Sequence, residues 1–334
     1  MKKKPKKAII LAGGKGTRLY PVTLETPKPL LTVNKRPIIN YLIDMFKKHG
    51  VSEVAITVRA SDFEDYSWWL RRWQNVGAQD SSYHQVENLE NETSSRRDGE
   101  GAGLPTPSRN NEEVGHSQAS LQAGEFDRSS ASFVAHVPVG THRSFFLESR
   151  PNSVRSTDTS SNPVLLGGVW VNLMVEDEPM GTIGYWAKNL HTWTGDEPFF
   201  LTNGDELKDI DLSALTEHHE KHGAAATIAA VEVPNPKEYG VIVFDGDHVD
   251  TFLEKPENPP SNFISSGLYL LDPKIREYLL PELEKGEKFL MIEKDLFPKL
   301  AKDRKLVAFK SHGKWFDCGN LERWERAIKE WDQK

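Results

Sequence analysis

The chain has 334 residues, 37% of them hydrophobic, and 42 Lys and Arg against 49 Asp and Glu give a net charge of −7. That balance excludes a generally basic surface of the kind that coats nucleic acid, and a lone cysteine, Cys318, excludes an intramolecular disulfide and any multi-cysteine zinc or iron–sulfur site. No apolar run approaches the roughly 18 residues of a membrane span, and the basic start is followed by too short an apolar stretch for a signal peptide, so a soluble cytoplasmic protein is expected.

Residues 1–70 read as the first part of an α/β domain. Lys6–Gly14 is a short apolar strand running into glycines. Pro37–Phe46 reads as a helix with Pro37 at its first position and Ile38, Ile39, Leu42, Ile43 and Phe46 on one stripe. Gly50 suits its C-terminal cap, and Val51–Val58 is a second strand. Strand, crossover helix and strand predict parallel pairing. Residues 71–167 have a different texture. Between Gly77 and Pro163 there are 16 serines, and neither helical nor strand periodicity persists. This stretch reads as a long insertion, largely disordered. Whether it folds, regulates or is native coding sequence stays open. Trp68, Trp69 and Trp73 crowd its entry and read as core or junction packing.

From 168 to 334 order returns. Glu197–Asp205 is a strand ending in an acidic tip. Asp211–His222 is a helix closed by Gly223. Ala224–Val233, Tyr239–Phe244, Thr251–Glu254 and Asn262–Leu271 read as strands. Ile275–Leu280 and Glu293–Lys302 are helical, Leu306–Lys310 and Lys314–Phe316 are short strands, and Asn320–Trp331 is a terminal helix. This alternation predicts a single Rossmann-like α/β domain, with a mostly parallel or mixed sheet and helices on both faces.

The chemistry concentrates at strand ends. In Leu11-Ala12-Gly13-Gly14-Lys15-Gly16-Thr17-Arg18-Leu19, glycines after a first strand let backbone N–H groups approach a phosphate. The spacing fits neither a Walker A loop nor a dinucleotide GxGxxG, because Leu19 stands at the third glycine position. Pro27-Lys28-Pro29 stiffens the backbone around one lysine. With Arg18 it sets two cations beside an anion-cradling loop, which suits a polyphosphate. Asp205 at a strand tip beside such a site suits Mg²⁺, and Asp317 in Trp315-Phe316-Asp317-Cys318-Gly319 ends a second short strand. The bland alternatives are a glycine turn with solvated charges and an Asn-Gly-Asp turn. Asp209 and Asp211 read as helix-start residues. His218 and His222 stand at i,i+4, but no third metal ligand is defined, and they read with His219 as a solvated helix face. Cys318 reads as a small packed side chain.

LAGGKGTRLYPVTLETPKPLL resembles the opening of the sugar-phosphate nucleotidyltransferases, a family that includes mannose-1-phosphate guanylyltransferases and glucose-1-phosphate thymidylyl- and uridylyltransferases. The resemblance spans about residues 6–70 and 168–330. It implies a nucleotidyltransferase domain in which Leu11, Ala12, Gly13, Gly14, Gly16 and Thr17 hold the nucleotide and Arg18 and Lys28 neutralise its phosphates. LTNGDEL and WFDCG resemble the family's metal motifs, implying that Asp205 and Asp317 share the catalytic Mg²⁺. Glu254-Lys255-Pro256 resembles the EKP motif and Tyr239-Gly240-Val241 the YGV segment, implying sugar-phosphate contacts at Gly240, Glu254 and Lys255. Ser265 takes the place of the family's asparagine and is expected with them on the sugar-phosphate side, and Arg59 takes that of an asparagine in many relatives, with no role assigned to it. Glu176 and Gly181 lie in a segment resembling EPLGTAG, on the nucleotide-base side. Glu176 stands where thymidylyl and many uridylyl relatives have glutamine. A carboxylate only accepts hydrogen bonds, and guanine offers paired N–H donors, which favours GTP, with mannose 1-phosphate as partner. UTP- or dTTP-dependent transfer to glucose 1-phosphate is the enzymatic alternative. A catalytically weak or inactive nucleotide- or sugar-binding homologue is the other. No nucleic-acid or membrane partner is expected, and the oligomeric state, homo-oligomer included, stays open.

Overall fold

The structure, a computed structural model, describes residues 4–76 and 162–333. The expected insertion therefore falls, between 77 and 161, outside the described residues. The first strand, β1 (Lys7–Leu11), leads into a glycine loop and three short 3-10 turns, Thr17–Leu19, Val22–Leu24 and Lys28–Leu30. Then follow the ribbon β2 (Thr32–Val33) and β3 (Arg36–Pro37), helix α1 (Ile38–Lys48), β4 (Glu53–Arg59) and α2 (Phe63–Val76). Beyond the undescribed residues come β5 (Val164–Leu166), β6 (Val169–Glu176), α3 (Gly184–Thr194), β7 (Phe199–Asn203), β8 (Glu206–Lys208), α4 (Leu212–His222) and β9 (Ala226–Glu232). The chain closes with β10 (Gly240–Asp245), β11 (His248–Glu254), β12 (Phe263–Leu271), α5 (Ile275–Glu284), a π-turn at Ile292–Leu296, α6 (Phe297–Lys302), β13 (Leu306–Lys310), β14 (Trp315–Asp317) and α7 (Leu321–Glu330).

Ten strands form one mixed sheet in the order β10-β11-β13-β9-β12-β7-β1-β4-β6-β5. Its centre, β7-β1-β4-β6, is parallel, as the strand–helix–strand pattern predicts for β1 and β4. β12 runs antiparallel to both β7 and β9. Period-two burial divides each central strand between two cores. Ala8 and Ile10 of β1 face α1, α2 and α4, whereas Ile9 faces α3, α5 and α6. Buried indoles find partners: Trp69 Nε1 donates to Asn40 Oδ1 and Trp186 Nε1 to Thr57 Oγ1, each at 2.9 Å. Leaving either donor unpaired would cost about 1–3 kcal/mol.

Three local readings shift. Pro37 is the N-cap of α1 rather than its first helical residue, because its extended ψ of 141° still belongs to the ribbon. Regular structure enters both margins of the 71–167 stretch, since α2 runs to Val76 and β5 begins at Val164. The helix expected over Glu293–Lys302 is a π-turn followed by one short α-helix, with Pro298 near the start of the latter. Among the described residues, no helix is long and apolar enough to cross a membrane.

Candidate active site

The four parallel strands end together at their C-terminal edge, the place where open α/β sheets bind ligands. Leu11, Arg59, Glu176 and Asn203 are their last residues. A cleft of about 700 Å³ opens there, lined on one side by Ala12–Arg18, Lys28 and Asp205 and on the other by Arg59, Glu176–Thr182, Phe289 and Met291. The structure thus brings Leu11, Ala12, Gly13, Gly14, Gly16, Thr17, Arg18, Lys28, Glu176, Gly181 and Asp205 around one space.

A small third core supports the glycine-loop end. Leu19, Leu31, Val33, Ile38, Leu207, Cys318 and Ala327 pack together, and this fixes the 3-10 turns that carry Arg18 and Lys28 against β8 and α7. Arg18 is exposed on the cleft wall. Lys28 is buried and its ammonium bonds the Asp205 carboxylate. Burial pushes the Asp205 carboxyl up, but the Lys28 ammonium, with Lys208 behind it, outweighs that and holds it below the usual range. Asp205 therefore stays ionised at neutral pH.

Asp317 is one residue removed from the cleft, beside the lining residue Gly319. Strand pairing brings it to Asp205: β14 lies antiparallel to β8 with Asp317 opposite Glu206, and Cys318 N donates to Asp205 O at 3.3 Å. Arg323 Nη1 donates to Asp317 Oδ2 at 2.6 Å, and the Tyr239 hydroxyl donates to the same oxygen at 3.3 Å. Asp317 Oδ1 faces Gly319, where a Cβ would approach it to 2.6 Å. Only glycine leaves that oxygen room. Although it ends a short strand, Asp317 is buried. Two carboxylates at the ends of paired strands are hard oxygen donors of the kind that fit Mg²⁺. Behind them, Glu206 bonds Lys208 Nζ at 2.9 Å, Trp315 Nε1 at 2.9 Å and Asn203 Nδ2 at 3.1 Å. Lys208 is fully buried, so this pair anchors both acidic strands from inside.

The opposite wall carries Glu176. A Cβ on Gly13 would lie 3.1 Å from Glu176 Oε2, which puts the carboxylate directly beside the glycine loop. Burial alone raises its pKa to about 7, and among the described residues it has no hydrogen-bond or ion-pair partner. Glu178, two residues on, is exposed and paired with Lys288 at 2.8 Å. Gly181 has φ +76°, and a Cβ there would meet Leu290 O at 2.3 Å, so glycine lets this wall close on the Leu290 backbone. Arg59 is not a solvated strand-end arginine. It lines the cleft and grips the buried Asp62 with two hydrogen bonds of 3.0 Å.

Gly240, Glu254, Lys255 and Ser265 do not line this cleft. Glu254 and Lys255 pair with each other at 2.9 Å. Gly240 makes room for Phe252, whose ring would lie 2.2 Å from a Cβ. Ser265 Oγ bonds the Tyr269 hydroxyl and the Gly267 N–H, each at 3.2 Å. The link to the cleft runs through Glu293, which accepts from Thr182 Oγ1 at 3.1 Å and feels the charges of Glu254 and Lys255. Arg323, Glu293 and Lys208 lie outside the motifs read in the sequence, and Tyr239, Thr182 and Glu206 lie inside quoted segments without a role of their own, because their partners Asp317, Glu293 and Trp315 are distant in the chain. Cys318 is packed as expected, with burial, and Asp317 beside it, pushing its thiol up to about 12. The histidines of α4 depart from the solvated face: His219 is buried against Thr227 Oγ1 at 2.8 Å, and His218 and His222 are half-buried.

Residues 7–97 and 147–334 match the Nucleotidyl transferase family. A mannose-1-phosphate guanyltransferase of Candida albicans is 27% identical over 317 residues, covering 94% of this chain and 61% of the relative. A mannose-1-phosphate guanylyltransferase catalytic subunit beta of Danio rerio is 27% identical over 318 residues, with the same coverage of 94% and 61%. The chain thus spans about three fifths of the length of these curated relatives. A UDP-glucose pyrophosphorylase solved in complex with UDP-glucose shares the fold at a TM-score of 0.59 and 20% identity, covering 98% of each chain. The chain belongs to the Nucleotidyl transferase family.

Proposed function

We propose that this member of the Nucleotidyl transferase family joins a nucleoside triphosphate to a sugar 1-phosphate, releasing pyrophosphate, with GTP and mannose 1-phosphate as its substrates. The observation that carries the reading is the buried Lys28–Asp205 pair set against the glycine loop at one end of the cleft that holds Glu176 at the other. A phosphate oxygen of the sugar 1-phosphate attacks the α-phosphorus in line. The bond from that phosphorus to the bridging oxygen breaks, and its electron pair leaves with pyrophosphate. The attacking phosphate is already largely ionised at neutral pH, so no protein nucleophile is required. Catalysis then rests on position and charge.

Each residue has a separate task in this scheme. The loop N–H groups of Gly13–Thr17 hold the triphosphate. Arg18 and Lys28 balance the negative charge that gathers on the leaving pyrophosphate. Asp205 and Asp317 would hold Mg²⁺, which when bound supplies a further positive charge to the phosphate oxygens. Arg323 and Tyr239 fix Asp317 through one oxygen and leave the other facing Gly319. Lys255 and Glu254 are assigned to the sugar phosphate and sugar hydroxyls across the Thr182–Glu293 contact.

Base choice is assigned to Glu176. It is the carboxylate beside the loop that lacks a partner, whereas Glu178 is engaged by Lys288. Guanine N1–H and N2–H can both donate to it. Supporting the same choice are the names of the curated relatives, both mannose-1-phosphate guanylyl enzymes. The decisive experiment measures pyrophosphate release from GTP, UTP, dTTP and ATP against a panel of sugar 1-phosphates. Turnover with GTP and mannose 1-phosphate above all other pairs is expected. A preference for UTP or dTTP with glucose 1-phosphate would reassign the substrates, and no turnover with any pair would make the chain a binding homologue.

A further inference from the structure

A second cluster of chemistry-bearing side chains lies away from the nucleotide cleft, where α4 packs on β13 beside the β10–β11 turn. His218 and His222 stand one helical turn apart on α4, with ring centroids 4.7 Å from each other. Asp247, in the turn between β10 and β11, brings Oδ2 to 3.1 Å from His222 Nε2. One donor atom from each of the three lies within 4.8 Å of the other two. The Nε2 atoms of His218 and His222 are buried, and among the described residues neither makes a hydrogen bond, His222 Nε2 having only its ion pair with Asp247. The ring of the neighbouring His248 is 5.8 Å from that of His222, and its Nδ1 is also buried without a hydrogen-bond partner among the described residues. Buried polar atoms are rarely left idle, and two of them beside a His–Asp pair call for an explanation.

The backbone holds the two halves together. Ala308 of β13 donates its N–H to Asp247 O at 2.9 Å, and α4 packs on the same strand, so the turn that carries Asp247 is held beside the helix that carries the two histidines.

We propose that His218, His222 and Asp247 form a site for a divalent transition ion of the zinc class. Ligand bonds of about 2.0–2.2 Å in a tetrahedron set donor atoms roughly 3.4 Å apart. The His222–Asp247 pair is already near that spacing, at 3.1 Å. His218 must close by on the order of 1 Å, a small rotation of side chains, and Asp247 sits on an exposed turn free to follow. A His222–Asp247 ion pair alone would account for neither the idle His218 Nε2 nor the idle His248 Nδ1. Three protein donors leave a fourth position for water or for His248. Two imidazoles and one carboxylate select against Mg²⁺, which takes oxygen ligands, so this site and the phosphate-side cation would not exchange ions. Bound metal would tie α4 to the β10–β11 hairpin and stabilise the fold.

The test uses the untagged full-length chain, stripped with chelator and dialysed against excess Mg²⁺ to occupy the phosphate side. Titration with Co²⁺ should load one ion per chain, with the intense visible absorption of four-coordinate cobalt, and Zn²⁺ should displace it. His222→Ala and Asp247→Asn should each weaken binding by about 100-fold or more, at least the loss seen for disturbing a ligand's supporting contact. Asp205→Asn and Asp317→Asn should leave the cobalt signal unchanged. Zn²⁺ should raise the thermal midpoint of the wild type and not of Asp247→Asn. Asp247 lies on an exposed turn, so that variant keeps the test decisive should His222→Ala fail to fold. Absence of stoichiometric Co²⁺ binding, binding that survives both substitutions, or binding lost with Asp205→Asn would overturn the proposal.

Discussion

Replacing Glu176 by glutamine isolates the group assigned to base choice, because the two side chains have nearly the same shape and differ in hydrogen-bond inventory. A carboxylate facing guanine accepts two protons. A glutamine in the same place accepts one and presents an N–H to the other donor. A mismatched buried polar contact costs about 1–3 kcal/mol, so the GTP-to-UTP ratio of kcat/KM should fall at least about tenfold in Glu176→Gln. The environment adds a second, independent signature. Burial raises the Glu176 pKa to about 7. Only the ionised form accepts both guanine donors, so guanine binding favours proton loss and opposes protonation. In the wild type the GTP-to-UTP ratio should therefore be greatest above about pH 7, fall as the pH drops through that value, and level off once the carboxyl is protonated. The protonated carboxyl donates one hydrogen bond and accepts one, as glutamine does, so at low pH the wild type should come to resemble the variant. Using the ratio cancels the ionisation of the sugar phosphate and of the triphosphate, which both nucleotides share. Initial rates of pyrophosphate release at about pH 6, 7 and 8, for both proteins and both nucleotides, provide the measurement. A wild-type ratio that does not move with pH, or a variant that keeps the wild-type ratio, would refute the assignment of Glu176 to the base.

The same carboxyl bears on stability. Burial lifts its folded pKa from the ordinary glutamate range to about 7, so between that range and about pH 7 the folded chain holds more protons than the unfolded one and stability falls as pH rises; the melting-temperature advantage of Glu176→Gln should be near zero at the acid end of that window and reach its full size above about pH 7 in calorimetry. Asp205→Asn and Asp317→Asn should each lower turnover by roughly 100-fold, the scale of losing one preorganised electrostatic contact, with far-UV circular dichroism unchanged; turnover within a few-fold of wild type would remove that residue from the site. Gly319→Ala places a Cβ 2.6 Å from Asp317 Oδ1, so it should displace that oxygen and depress turnover as Asp317→Asn does, and a fully active Gly319→Ala would show that Oδ1 is idle. Among the described residues, the two large hydrophobic cores are built from residues 8–70 and 166–308; replacing 79–161 by a short Gly/Ser linker is expected to leave one cooperative thermal transition, and loss of that transition would mean the excised stretch carries part of the fold.

What could be read in the chain was local. The glycine loop and Pro27-Lys28-Pro29 constrain their own backbone, so their place on the cleft wall follows from a few adjacent residues. β1 and α1 announce themselves by periods of burial, and the expected parallel pairing of β1 with β4 follows from chain connectivity. β6 carries an equally plain signal, with Val169, Val171 and Leu173 buried on alternate positions, yet it was obscured by the serine-rich stretch that precedes it. Helix α3 keeps helical spacing on its buried face, Trp186, Ala187, Leu190 and Thr194, and Tyr185 and Trp193, each in ring contact with Trp186, broaden the apolar surface beside that stripe.

The site's electrostatics were another matter, because charge pairing has no sequence period. Lys28 and Asp205 are 177 residues apart, and nothing near either one names the other. The choice between Glu176 and Glu178 turns on Lys288, 110 residues beyond Glu178. The two carboxylates differ by two positions, and strand alternation alone would put both on one face. The strand ends at Glu176, however, and the chain beyond it turns outward to Lys288. The histidine cluster obeys the same logic. The i,i+4 spacing of His218 and His222 is visible in the sequence, but the third donor, Asp247, becomes their neighbour only because its turn is bonded to β13, on which α4 also packs. A motif can thus specify half of a site through its spacing. The half that decides which ion or base is bound comes from a strand order that no single segment encodes.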